Sequence, residues 1–262
     1  MSRLTLLALT IALTITAPVL RAAEPLKALL ITGGCCHDYE KQKVLLTEGI
    51  SARANVAWTI VHEGGKSLDH KVSIYSQPNW AQGYDVVVHD ECFANVKDVD
   101  FVEGILAAHR EGVPSLNLHC AMHCYRTGTD MWFEYLGLQS SGHGPQKPID
   151  VSIIEKHPIT NGLSDWTTIN EELYNNLKLW ESAVPLARGK QGEGDKPGRT
   201  DCVVAWTNHY GPKKVPVFCT TLGHNNDTVA DARYLDLVTR GLLWACGKLN
   251  DDGTPKEGYG GK

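Results

Sequence analysis

The sequence predicts an α/β protein built on a parallel, doubly wound sheet. Two observations lead to this prediction: short segments of the chain are almost continuously apolar, and segments of helical periodicity separate them. Strands buried on both faces lose the alternation of half-exposed strands, and the helices between them supply the crossovers that parallel pairing requires. With 42% hydrophobic residues among 262, the chain has enough apolar material for one large core.

The N-terminal half alternates strands and helices. The first strand, residues 26–32, is an apolar run that ends at the tight turn Gly33-Gly34. The other elements predicted in this half are helices at 39–54 and 98–111 and strands at 56–61, 84–89 and 114–118.

The C-terminal half has a different pattern. Strands are predicted at 151–154, 203–206 and 215–218, the last two forming a hairpin around the Tyr210-Gly211-Pro212 turn, and a helix at 229–246. Residues 189–199 are predicted to be an exposed loop and residues 251–262 a flexible tail. With no internal repeat and no clear boundary, residues 24–250 are interpreted as one domain.

Residues 1–23 are predicted to be a secretory signal. Arg3 precedes the apolar stretch Leu4–Leu20, and small residues at Ala22 and Ala23 provide a cleavage site, which favours a signal over an uncleaved anchor. We therefore expect an exported protein, periplasmic or extracellular, with no membrane contact after cleavage. Losing Arg3 and Arg21 takes the net charge from −5 to −7, which disfavours nucleic-acid partners.

Histidines and carboxylates follow four of the predicted strands. Ligands of open α/β sheets bind beyond the carboxyl ends of the strands, so these side chains predict a functional cleft. The residues at the four strand ends are His37 after the first strand, Glu91 after the third, His119 and His123 after the fourth, and His224 after the strand that ends at Phe218.

Three chemistries are open to such a cleft. Cys120, at a sharp strand-to-helix turn, pairs with His224 in a nucleophilic scheme. Histidine and carboxylate also suit acid–base catalysis. Metal binding is the third, with donors suited to zinc or a similar ion: His37, His119, His123 and His224, with Glu91 or Glu172.

The eight cysteines do not fix a disulfide pattern. Export would permit disulfides, and the even count allows up to four. Adjacent Cys35 and Cys36 are not expected to bond to each other, and Cys120 and Cys124, about one helical turn apart, make a marginal pair.

Several motifs together resemble the ThuA-like (trehalose utilisation) family, over residues 26–247. The resemblance implies a class I glutamine amidotransferase-like fold, a flavodoxin-like α/β/α sandwich with a mostly parallel central sheet. The motifs are the Gly33-Gly34 turn with His37, the strand-end His119, Gly142-His143, His157-Pro158-Ile159-Thr160-x-Gly162-Leu163, Glu171-Glu172-Leu173-Tyr174 and Thr220-Thr221-Leu222-Gly223-His224-Asn225.

The resemblance also tests the nucleophile hypothesis. In class I amidotransferases the elbow reads Gly-x-Cys-x-Gly, and a His-x-Glu ends a later strand. Aligned with this chain, the nucleophile position falls on His119, and the glutamate position falls on Asn226. Glutaminase chemistry is therefore expected to be lost, and Cys120 is expected to be a structural thiol or a disulfide partner.

The family resemblance implies an enzyme of carbohydrate catabolism, acting on trehalose-type disaccharides or 3-keto sugars, with a small-molecule carbohydrate as its partner. We predict His119, His224 and Glu172 as catalytic residues. The resemblance allows a divalent metal such as zinc, with His37, His119 and His224 as ligands. The alternatives are a non-catalytic sugar-binding module and, less favoured, an amidase using Cys120. The predicted substrate-binding residues are His37, Glu91, His143, Tyr174 and Asn225.

Overall fold

A computed structural model describes residues 23–192 and 201–261. The predicted signal lies outside these residues apart from Ala23, as does most of the loop predicted at 189–199. The strands are β1 Leu26–Gly34, β2 Val56–His62, β3 Val86–Cys92, β4 Ser115–Leu118, β5 Leu138–Gln139, β6 Lys147–Ile153, β7 Trp166–Glu171, β8 Lys178–Leu179, β9 Val184–Lys190, β10 Asp201–Tyr210 and β11 Val215–Thr220. The helices are α1 Tyr39–Ser51, α2 Val99–Arg110, α3 Met131–Leu136, α4 Asn226–Val229 and α5 Ala232–Ala245, with short 3₁₀ helices at Ser73–Ser76 and His119–His123.

Nine of the described strands form one sheet, in the order β2-β1-β3-β4-β11-β10-β9-β6-β7. The strands from β2 to β11 in this order run parallel, which confirms the predicted parallel sheet. From β11 onwards each neighbour is antiparallel, and the β10–β11 pair is the predicted hairpin. The carboxyl ends of β1, β3, β4 and β11 therefore meet at one edge.

Helices cover both faces of the sheet. Alternate residues of β1 supply the two cores: Ala28 and Leu30 pack on the side of α1 and α5, whereas Leu29 and Ile31 pack on the side of α2 and α3. The strand is thus buried on both faces, as its continuous apolar run predicts. The result is the α/β/α sandwich expected from the resemblance.

Within the nine-stranded sheet, the two strands that the sequence pattern does not predict, β7 and β9, lie at its antiparallel end. Strands β7 and β9 mix buried and exposed residues and lack a continuous apolar run. The C-terminal segment also differs from expectation. Described as far as residue 261, it packs against the chain instead of hanging free, since Asn55 donates its backbone N–H to the Tyr259 carbonyl and Ala54 bridges to Gly260.

In the described part of the chain, none of the helices combines the length and the apolar character that crossing a membrane requires.

A buried histidine pair joins α2 to β3. His109 donates from Nδ1 to the Val113 carbonyl at 2.8 Å, and its Nε2 lies 3.1 Å from Nε2 of His89. The ring also stacks on Tyr135. Burial, reinforced by the neighbouring His89, lowers the pKa of His109 to about 3.

This lowered pKa predicts acid destabilisation. Well above the ordinary histidine pKa of about 6.5, His109 is neutral in both the folded and the unfolded chain, so it adds no pH dependence. Below that pH the unfolded chain takes up the proton first, and stability should fall by about 1.4 kcal/mol per pH unit until the folded pKa is reached. In His109→Gln, the free energy of unfolding should lose this contribution to its pH dependence between about pH 6.5 and 5. Urea unfolding at a series of pH values measures it. Equal slopes in the two proteins would contradict the assignment.

Candidate functional site

Four of the predicted side chains converge at the carboxyl edge of the sheet. His37 lies in the β1–α1 loop, His119 follows β4, Glu172 follows β7 and His224 follows β11. One potential ligand atom from each lies within 4.8 Å of those of the other three. We call these four residues the histidine centre.

The local sequence explains how two of these residues are held. Asp38 caps α1 by accepting from the Lys41 backbone N–H, which fixes the loop that carries His37. His119 has a φ of 41°, a left-handed backbone conformation that residues other than glycine adopt rarely. This is the turn of the elbow between β4 and the 3₁₀ helix, and the strain there favours a functional role for its occupant.

The nitrogen and oxygen atoms of the centre are closely spaced. Nε2 of His37 lies 3.0 Å from Nε2 of His119 and 3.1 Å from Nδ1 of His224. Glu172 approaches with both oxygens, Oε1 at 3.2 Å from His224 Nδ1 and Oε2 at 3.6 Å from His119 Nε2. Donors bound tetrahedrally at about 2.0–2.1 Å from a zinc ion would be separated by about 3.3 Å, so this spacing suits a shared cation.

Contacts outside the centre orient its rings. His119 donates from Nδ1 to the Thr221 carbonyl at 2.6 Å, which leaves the lone pair on Nε2, the nitrogen that faces the centre. Nδ1 of His37 contacts the Tyr39 hydroxyl at 3.0 Å. The Gln146 amide lies 2.7 Å from His224 Nε2, and an amide can present either its oxygen or its nitrogen there. Such outer contacts are typical of metal-ligating histidines.

The electrostatics favour neutral rings at His37 and His119, beside an attracting pair formed by Glu172 and His224. Burial lowers the pKa of His37 to about 2 and that of His119 well below its usual value. Burial works against charge at Glu172 and His224 too, but their mutual hydrogen bond and attraction prevail, lowering the pKa of Glu172 and raising that of His224. The 3.0 Å separation of the two Nε2 atoms suits either a hydrogen bond from His37 Nε2–H to the lone pair of His119 or a cation bound by both.

Two predicted substrate-binding residues border the centre. The Tyr174 hydroxyl lies 3.2 Å from His119 Nε2, and its ring stacks on His123 at 4.0 Å. His143 is exposed, with Nε2 3.5 Å from Glu172 Oε2. Tyr174 therefore lies at the buried side of the centre, and His143 lies at its solvent side.

The other predicted substrate-binding residues lie differently. Asn225 is held by Glu171, which accepts its backbone N–H, and its side chain donates to the Asn170 carbonyl. Glu91 is not brought to the centre. It is fully buried, and its Oε1 accepts from the hydroxyls of Tyr75 and Tyr125 at 2.9 Å each.

Glu171 belongs to the site but is not predicted as a site residue from the sequence. Its two oxygens accept the backbone N–H groups of His224 at 3.1 Å and Asn225 at 3.2 Å, so it holds the loop that carries His224. The signal is the adjacent acidic pair, of which only Glu172 is predicted as a site residue. Residues that ligate a metal are commonly held in place by a neighbouring hydrogen-bonded group, and Glu171 is such a group for the loop of His224.

The cysteines around the centre are paired. The structure joins Cys92 to Cys120, so Cys120 is a disulfide partner there and not a thiolate nucleophile, and it leaves Cys124 free. It also joins Cys35 to Cys36, contrary to expectation. The loop permits this because Cys36 adopts a left-handed φ of 83°.

The fold and the comparisons define the class of the protein. A GMP synthase component from Thermoplasma acidophilum, which has the glutamine amidotransferase-like fold, matches with a TM-score of 0.52 at 15% identity, covering 86% of this chain and 96% of that one. Comparison with curated proteins returned no match. The chain is therefore an α/β protein of the glutamine amidotransferase-like fold.

A family model described as ThuA, trehalose utilisation, matches residues 27–245, and the chain belongs to this family. A ThuA-like protein from Parabacteroides merdae is similar in structure, with a TM-score of 0.66 and 20% identity over 90% of this chain and 97% of that one. Another from Bacteroides uniformis gives a TM-score of 0.65 and 15% identity over 88% and 95% of the two chains.

Proposed function

We propose that this chain is an exported, metal-dependent enzyme of carbohydrate catabolism that acts on a trehalose-type disaccharide or a 3-keto sugar. The observation that supports it most is the convergence of three imidazoles and one carboxylate, from four separate segments, within 4.8 Å. The family description, trehalose utilisation, supports the substrate class. The apolar stretch between Arg3 and Ala22 supports export.

The donor set suits a divalent ion. His37, His119, His224 and Glu172 would hold it, and three imidazoles with one carboxylate match the preferences of zinc and of manganese or iron. A bound divalent ion would polarise a sugar oxygen or lower the pKa of a water molecule. The short separations between nitrogens, and the outer contacts to Thr221 and Tyr39, support this assignment over a purely structural histidine cluster.

The remaining residues have roles in binding the substrate and moving protons. Tyr174 is buried and stacked on His123, so it presents a fixed hydroxyl to an oxygen of the substrate. His143, exposed beside Glu172, is placed to exchange protons between the substrate and solvent. Glu172 serves as a ligand to the ion and, on the same geometry, as the acceptor that orients His143 and His224.

Elemental analysis tests this proposal first. The mature protein, purified without chelator and without a histidine tag, should contain about one equivalent of a divalent metal per chain. Removing the metal with a chelator should abolish product release from trehalose and from 3-keto trehalose, and adding the same metal should restore it. A folded protein without metal, active in the presence of chelator, would contradict the proposal.

A second outcome separates enzyme from binding module. The metal-loaded protein could bind these sugars, measured by calorimetry, and yet release no product over long incubation. That result would show a sugar-binding module and not an enzyme. The catalytic part of the proposal would then fail while the metal centre remained.

A further inference from the structure

Four cysteines lie beside the histidine centre and are not used by the proposed function. Cys35 and Cys36 follow β1, Cys92 ends β3 and Cys120 follows β4, so three strand ends bring them together. Cys35, Cys92 and Cys120 are buried in one small cluster, whereas Cys36 is exposed. We call these four residues the cysteine cluster.

The two disulfides of this cluster are in contact. Sγ of Cys35 lies 3.7 Å from Sγ of Cys92, the residue that is bonded to Cys120. The sulfurs of Cys35, Cys36 and Cys92 all lie within 4.8 Å of one another. This contact brings three of the four sulfurs within reach of a single ion.

We propose that the reduced cysteine cluster is a second metal site, in which Cys35, Cys36 and Cys92 bind a soft cation such as Cu(I) as thiolates. Thiolate ligands select soft ions, whereas the nitrogen and oxygen donors of the histidine centre suit harder divalent ones. Metal–sulfur bonds of about 2.3 Å place tetrahedral sulfur ligands about 3.8 Å apart. The Cys35–Cys92 separation already matches that spacing.

The cluster reaches the reduced state through its exposed end. A thiolate of an external dithiol attacks Cys36 and releases Cys35 as a thiolate, and the second thiol of the reductant then frees Cys36 and leaves as a cyclic disulfide. Each disulfide takes up two electrons and two protons, so full reduction consumes two dithiols. Metal binding afterwards releases the thiol protons.

The contact between the sulfurs gives the buried disulfide a route to the reductant. The Cys35 thiolate attacks Cys92, forming a Cys35–Cys92 bond and releasing Cys120. Cys36 then attacks Cys35, which restores the Cys35–Cys36 disulfide and frees Cys92. A second dithiol reduces the restored pair, so all four thiols form although Cys92 and Cys120 are buried.

Cadmium binding to the reduced protein tests the site. The protein is reduced with dithiothreitol, desalted without oxygen and titrated with Cd²⁺, and the absorption from sulfur-to-metal charge transfer is recorded. We expect one Cd²⁺ with thiolate absorption per chain, and a loss of affinity of about tenfold or more in Cys92→Ser. Cys246→Ser, in a free thiol remote from the cluster, is the matched control and should bind Cd²⁺ normally.

Alkylation mapping provides a test that needs no variant. Cd²⁺ should protect Cys35, Cys36 and Cys92 of the reduced protein from iodoacetamide, while Cys246 reacts at the same rate with and without the ion. His37 of the histidine centre lies within 4.8 Å of Cys92 and Cys120, but none of the three sulfur ligands belongs to that centre, so His119→Ala should retain the charge-transfer absorption. The proposal is therefore independent of the proposed enzymatic function.

Three outcomes would overturn it: no charge-transfer absorption in folded, reduced protein, absorption unchanged in Cys92→Ser, or loss of the fold on reduction, monitored by circular dichroism. Cd²⁺ held only by the histidines would give the first of these and would leave the proposed function standing. If Cys92→Ser does not fold, the protection pattern of the unmutated chain decides the question.

Discussion

Replacing His119 by alanine should remove the bound metal and lower turnover by about two to four orders of magnitude. Its Nε2 faces both His37 and Glu172, and its Nδ1 hydrogen bond to the Thr221 carbonyl fixes the tautomer that can bind an ion. With alanine, the centre loses the donor at its most buried position. Metal content and kcat, measured on the same preparation, should fall together.

The controls separate loss of the site from loss of the fold. His209→Ala changes an exposed histidine on β10 and should leave metal content and kcat unchanged. Because His119 adopts a left-handed φ of 41°, His119→Asn is the second variant, since asparagine tolerates that conformation better than alanine. A folded variant with full metal and full activity would exclude His119 from the mechanism. Full metal with lost activity would make it an acid–base residue and not a ligand.

The four residues of the histidine centre are predictable because the sheet topology determines where three of them lie. Parallel strands deliver their carboxyl ends to one edge, so residues that follow β1, β4 and β11 must lie near one another. Glu172 is reached through the family motif, since its strand, β7, is half exposed and lacks the apolar run that marks the others.

Glu91 shows why strand-end reasoning is incomplete. Alternate residues of a strand face opposite sides of the sheet, so two neighbours at a strand end serve different environments. In β3, Cys92 faces the cysteine cluster, while Glu91 turns to Tyr75 and Tyr125 on the side of α2. The apolar pattern indicates where the strand ends but not which of the two residues enters the cleft.

The disulfide pairing cannot be predicted from the sequence, for a different reason. Cysteine spacing along the chain carries little information about separation in space. The contact between Cys35 and Cys92 depends on β1 lying beside β3 in register, which pairs Gly34 with Cys92. A one-residue shift of that register would turn Cys92 to the opposite face of the sheet.

The last residue of β1 carries the second prediction with a large effect: Gly34→Ala should lower the free energy of unfolding by about 3 kcal/mol or more. Gly34 has a φ of 99°, where a side chain is strained, and a Cβ there would lie 2.4 Å from the Cys92 carbonyl oxygen. That oxygen belongs to the backbone of a central strand and cannot move aside cheaply, so the loop must shift instead.

The same shift should disable both proposed metal sites, because Cys35 and His37 follow Gly34 closely in the same loop. Gly104→Ala in α2 is the matched control: a Cβ there meets no atom within 4 Å, and alanine in a helix should stabilise the protein by about 0.5–1 kcal/mol. Urea unfolding measures both variants, and metal content is measured on the same preparations. A free energy of unfolding for Gly34→Ala within about 0.5 kcal/mol of that of the unmutated protein would contradict the prediction. The close approach of Gly34 to β3 would then not be what holds the loop in place.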